Sequence, residues 1–236
     1  MRGLRLRLGF GPGKRGNTFD IADASLGTGG FYFDATNTAN LYQSSAGSGV
    51  VTNGDPVGYL AASDGDNFVQ ATADNRPTFV TGEGLSFDAT NDVLVRTPTG
   101  GAGPSDCSVF VRVKMDAAAT NVCVMYGVDS VRWLFYAFDD GGPANNGSET
   151  ATGVADGSTA FATRSQLINI LDDGEWHTLE AQSAGLHNWA IVGLSSYGSG
   201  GFWDGSIARG VVVTSAALSA DSSLRGNLLS WLSEVG

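Results

Sequence analysis

Asp74-Asn75-Arg76-Pro77-Thr78-Phe79, a turn at Gly82-Glu83-Gly84, then Leu85-Ser86-Phe87, the polar cluster Asp88-Ala89-Thr90-Asn91-Asp92 and Val93-Leu94-Val95 form the stretch that decides the fold. Pro77 has no N–H to give to a sheet ladder and biases Arg76 toward an extended backbone, so a strand starts here. Leu85 and Phe87 flank Ser86, and strand alternation therefore puts both on one buried face. The Asp/Asn/Thr cluster can hydrogen-bond its own backbone and separates two apolar runs, as a β-turn does. One hairpin thus seeds an antiparallel sheet.

Strand patterning continues on both sides of this hairpin. Upstream lie Phe31 to Phe33, a loop and short strand in Leu41 to Val51, and Gly58 to Ala62. Downstream, Cys107, Val109, Val111, Val113 and Met115 share one face of a strand whose other face carries Arg112 and Lys114. Asp116 to Thr120 reads as a turn back into Asn121 to Val128, which separates Cys123 from Cys107. Both cysteines then fit buried apolar positions better than a disulfide. Val131 to Phe138 is apolar on both faces and predicts a central strand covered on both sides. Phe161 to Leu171, Glu175 to Ala181, Asn188 to Gly193 and Ile207 to Thr214 complete the strand-like runs. At the C-terminus the period changes: Leu224, Leu228, Trp231, Leu232 and Val235 fall on one helical face. This predicts a helix over 219–235, with Ser219 as N-cap and Asp221 in the first turn.

The quoted residues, with Gly54 to Gly58, Gln70 to Phe79, Phe31-Tyr32-Phe33-Asp34, Leu41 to Gly47, Asp173-Gly174-Glu175-Trp176-His177 and Phe202 to Ala208, resemble the concanavalin A-like (laminin G-like) jelly-roll domains of bacteriophage structural proteins. The resemblance covers roughly residues 30 to 235. It implies an all-β, antiparallel β-sandwich and a virion component, a fibre, spike or tail-tip protein made in the host cytoplasm and carried on the virion surface. Its expected partners are other virion proteins, host-surface glycans and further copies of itself in a homo-oligomer. A purely structural capsid or tail decoration protein is the alternative, and a glycan-degrading enzyme the second alternative.

Composition agrees with many turns and few helices: Gly 34, Pro 6 and 42 % hydrophobic residues in 236. That length allows one all-β domain with a full core. The net charge is −11, although Arg2, Arg5, Arg7, Lys14 and Arg15 all precede the first acidic residue. The body is therefore strongly acidic and should repel nucleic acid. No run approaches a membrane span, and Arg5 and Arg7 interrupt any signal-peptide core.

Residues 1–20 read as a basic N-terminal arm and 21–236 as the sandwich with its helix. Leu4-Arg5-Leu6-Arg7-Leu8 alternates like a strand with one apolar edge, followed by a Gly-rich connector. Such alternation is wasted unless it is covered, so Leu4, Arg5, Leu6, Arg7 and Leu8 are the candidate virion-docking residues; a disordered tail is the alternative. Asp64, Asp66 and Asn67 place two carboxylates and an amide within four residues. They are candidate calcium ligands, with a solvated turn as the other reading.

Two Gly-rich loops offer groups for sugar, since aromatic faces stack on C–H surfaces while carboxylates and amides accept from hydroxyls. The candidate carbohydrate-binding residues are Asp139, Asp140, Asn145, Asn146, Tyr197 and Trp203, although Phe202 and Trp203 also suit a core. Catalysis is not expected. Glycosidases need two carboxylates across the scissile bond, and the Glu-x-Asp-x-Glu run of this fold's glucanases is missing. Glu175 and Glu180 lie on opposite faces of any strand, and His177 and His187 lack partners at zinc-ligand spacing.

Overall fold

The computed structural model describes residues 19–98, 103–116, 121–127, 132–145, 152–186, 192–195 and 201–235. Candidate residues Leu4, Arg5, Leu6, Arg7, Leu8, Asn146, Tyr197 and His187 lie outside that set. Among the described residues fifteen strands form two antiparallel sheets with a hydrophobic core between them, an all-β sandwich.

The quoted stretch forms the hairpin expected of it: β5 (Thr78–Val80) pairs with β6 (Gly84–Asp88), and Leu85 and Phe87 are buried in the core. Beyond it, the Asp88–Asp92 cluster carries the chain from one sheet to the other, because β7 (Leu94–Arg96) pairs in the opposite layer.

The first sheet runs β12 (Thr159–Phe161), β11 (Thr152–Ala155), β13 (Trp176–Ala184), β8 (Cys107–Met115), β15 (Asp204–Thr214), β6 and β5, with β1 (Phe31–Asp34) also on β15. The second runs β10 (Trp133–Phe138), β9 (Asn121–Gly127), β14 (Val192–Leu194), β7, β4 (Phe68–Val69), β3 (Tyr59–Leu60) and β2 (Leu41–Tyr42). Strand β8 turns Cys107, Val109, Val111, Val113 and Met115 into the core as its alternation requires. Its Phe110 faces outward, yet it too is buried, because helices close over that side.

Those helices are α2 (Ser215–Ala220) and α3 (Leu224–Ser233). The single helix expected over 219–235 is broken, and Ser219 is not its cap: its hydroxyl donates to the Ser215 carbonyl inside α2. Thr214 caps α2, and Asp221 stops it by accepting from the N–H and hydroxyl of Ser223. The predicted apolar face survives: Leu224, Leu228, Trp231 and Leu232 bury Phe110, Val211 and Val213.

Three further expectations are corrected. Strand β9 is not the hairpin partner of β8; it pairs with β10 and β14 in the other sheet. Among the described residues strand β10 is an edge strand rather than a central one, and its faces are not those of simple alternation. Phe135 has φ of 59°, so Leu134, Phe135 and Ala137 all enter the main core while Trp133 and Tyr136 face outward. Finally, Arg164–Leu171 within the strand-like run is helix α1, whose start is set by reciprocal capping between Thr163 and Gln166 and which buries Leu167 and Leu171.

Cys107 and Cys123 are buried free thiols, in keeping with their expected apolar role. Burial pushes the Cys107 pKa up to about 12.

Candidate functional site

The two outer sheet surfaces differ. The first is covered by α2, α3 and the segment around Ile21 and Leu26. The second carries a row of directly paired residues, one from each strand: Tyr42, Tyr59, Val69, Val95, Gly193, Tyr126 and Trp133. Neighbouring positions on the same strands, Leu41, Leu60, Phe68 and Val192, point into the core. Alternation therefore gives this row the opposite face. At ~4.8 Å between strands, the six steps span roughly 29 Å.

Tyr42 and Tyr59 meet edge to face, with centroids 5.4 Å apart, and both are half-buried. Val69 is 37 % exposed. At the other end a Cβ on Gly193 would sit 1.7 Å from Cε1 of Tyr126, so the phenol ring lies directly over the glycine. Only a residue without a side chain lets the ring lie down on the sheet there. Burial is the main reason that the Tyr126 phenol is raised above its ordinary pKa, which keeps it neutral.

A wall closes this end. Trp133 and Tyr136 meet edge to face at 5.7 Å, and Tyr136 stacks with Phe138 at 6.3 Å. Arg164, the first residue of α1, lays its guanidinium 4.2 Å from the Tyr136 centroid and 5.0 Å from that of Trp133. Its Nη1 also donates to Asp140 Oδ2 at 3.0 Å. The result is a floor whose half-buried ring is Tyr126, backed by the buried Trp133 and Tyr136, beside an Arg–carboxylate pair.

Of the candidate sugar ligands, Asp140 stands at this wall and Asp139 is exposed beside it. Asn145 is buried, and its Oδ1 accepts from the N–H of Phe135 at 2.9 Å, satisfying the backbone at the inverted residue. It supports the wall from inside. Trp203 is fully buried in the main core, and its backbone N–H donates to Ser195 Oγ. It has no face to offer a sugar, because the start of β15 pairs with β6 and β8 and draws it inward.

The candidate calcium ligands are also engaged. Arg96, itself buried, donates from Nη1 to Asp64 Oδ1 at 2.8 Å and from Nη2 to Asp64 Oδ2, and Nη1 also reaches the Asp66 carbonyl at 2.7 Å. Its guanidinium lies 3.7 Å over the Phe31 ring. Asn67 Oδ1 accepts from the Ala62 N–H. The cation held by this loop is Arg96, and among the described residues no group of three or more metal-type side chains is found.

His177 bridges Asp156 through Nδ1 at 2.7 Å and Asp173 through Nε2 at 3.0 Å. Burial opposes its charge, but hydrogen bonds and charge from the two carboxylates outweigh it and raise its pKa. The triad ties the β11–β12 turn to the turn before β13, a structural role for this sheet histidine.

Asp92 gives a pH prediction. Burial first, then the charge of Asp88, lifts its carboxyl to about 6, opposed by the Asp88 N–H that it accepts. The folded pKa exceeds the unfolded one, so the folded state holds the proton longer. Stability is therefore lost as pH rises from about 4 to about 6 and stays lost above that. Asp92→Asn keeps the acceptor and removes the charge. Urea unfolding should show it more stable than wild type by about 2 kcal/mol at pH 8, with the gain vanishing at pH 4; an equal gain at both pH values would contradict this.

Comparison with protein-family models, curated proteins and solved structures finds no match to this chain. The functional reading therefore rests on its own residues.

Proposed function

We propose that this chain is a carbohydrate-binding β-sandwich of the concanavalin A-like jelly-roll type, displayed on a bacteriophage particle as a fibre, spike or tail component that meets host-surface glycans. The observation that carries the sugar reading is the row from Tyr42 to Tyr126 on the outer sheet face that α2 and α3 leave uncovered. Sugar rings stack their C–H faces on such aromatic surfaces while their hydroxyls meet polar groups at the edge, here the Arg164–Asp140 pair. The jelly-roll type and the phage setting are supported by the sequence resemblance, as is the role of Leu4, Arg5, Leu6, Arg7 and Leu8 in attachment.

Binding proceeds without turnover in this reading. The row carries no carboxylate, and Asp140 at its end is held by Arg164 rather than facing a second acid across a bond-sized gap.

A glycan array with purified protein tests the proposal, paired with the Tyr126→Ala variant. Wild type should retain a subset of glycans, and the variant should bind them at least ~10-fold more weakly with an unchanged far-ultraviolet spectrum. A blank array would overturn the sugar reading in favour of a decoration role. Reducing-end release from the bound glycan would overturn the claim of no turnover.

A further inference from the structure

A groove of ≈ 900 Å³ runs between the first described residues and the two C-terminal helices. Its base is formed by Phe19, Ala24, Ala217 and Ala220 over the buried Leu224 and Trp231, and its rim carries Asp20, Asp23, Asp221 and Glu234. Among the described residues no Lys or Arg lines it. Asp20 and Asp221 hold neighbouring backbone N–H groups, and Glu234 meets, at 3.3 Å, Arg209, whose guanidinium stacks on Trp231, but all four acidic residues are exposed. The groove therefore combines an apolar floor with a negative rim.

The complementary chemistry lies in the same chain. Residues 1–18 carry five basic side chains and no acidic one, with Leu4, Leu6 and Leu8 alternating with Arg5 and Arg7. As an extended segment, residues 4–8 would present three leucines to a floor and two arginines to a rim, over roughly 17 Å. We propose that this groove receives the basic arm of a neighbouring copy, joining successive subunits arm to groove. Phe19, where the arm is rooted, already lines the groove. Entry of a subunit's own residues 4–8 is the competing outcome, and it would leave the wild-type chain monomeric. The interface is heterologous, since donor and acceptor surfaces differ, so copies can close into a ring or extend. This inference rests on reading residues 4–8 as an attachment strand and is independent of sugar binding.

Complementation between full-length variants tests it. One variant carries Leu4→Asp, Leu6→Asp and Leu8→Asp; the other carries Asp23→Lys and Glu234→Lys. Sedimentation should show wild type associating, more than ~10-fold more weakly in high salt because the pairing is charge-assisted. Each variant alone should be monomeric, and their equimolar mixture should form one-to-one heterodimers, since one intact arm and one intact groove remain. Should Glu234→Lys fail to fold for want of its Arg209 contact, Asp23→Lys alone serves as the groove variant. A wild-type chain that stays monomeric, or an arm variant that associates as wild type does, overturns the proposal. Glycan retention measured on the same samples is expected to be unchanged throughout, which separates this failure from failure of the sugar reading.

Discussion

Trp231→Ala is expected to destabilise the protein by about 3–5 kcal/mol, the range for emptying a buried aromatic site. The indole is only 6 % exposed on α3, meets the Tyr32 ring edge to face at 6.0 Å, and lies beneath the Arg209 guanidinium at 4.6 Å. Around it Leu228, Leu232 and Val211 belong to the cluster that seals the outer face of the first sheet. Truncation leaves a cavity on a sheet surface that cannot collapse, because β8 and β15 are paired along their length. The melting temperature should fall by roughly 10 °C for a chain of this size. An unchanged melting temperature would mean that α3 contributes little to the fold, and would leave Phe110 and Val213 needing another cover.

What could be read from the sequence divides along the range of the interactions. The β5–β6 hairpin and the apolar face of the last helix were legible because alternation and the 3.6-residue period act within a few positions. The break at Asp221 was less so, since it depends on a side-chain turn competing with one more helical turn. Helix α1 was hidden by Ile168, Ile170 and their apolar neighbours, which suit a strand; Thr163 with Gln166 three residues on was the local sign of a capping box.

The site was mostly illegible for a different reason. Tyr42, Tyr59, Tyr126 and Trp133 become one row only through the registers of strands far apart in the chain, and no spacing announces it. One sign was available: Tyr42 and Tyr59 each stand beside a leucine, where a half-buried strand usually puts a polar residue on its outer face. Arg96 lies 32 residues from Asp64, so the loop read as a cation site without the cation that the chain itself supplies. Trp203 sits among glycines like a loop aromatic but also suits a core, and the pairing of β15 with β6 decides for the core.

Gly193→Ala should abolish the aromatic floor without removing an aromatic residue. The added methyl would overlap Cε1 of Tyr126, and the backbone cannot retreat, because β14 is paired with β7 on one side and β9 on the other. The ring must therefore rise from the sheet. The expected cost is about 1–3 kcal/mol of stability, the usual penalty of overpacking, with glycan binding weakened at least ~10-fold, as for Tyr126→Ala. The double variant Gly193→Ala with Tyr126→Ala separates the two effects. With the ring gone the three atoms nearest the methyl are removed, so the double variant should be more stable than the sum of the single losses predicts, while binding stays lost. That stability coupling is measurable by denaturant unfolding before any sugar is identified. Wild-type affinity in Gly193→Ala would show that the Tyr126 ring, wherever it moves, is not the surface on which the sugar rests.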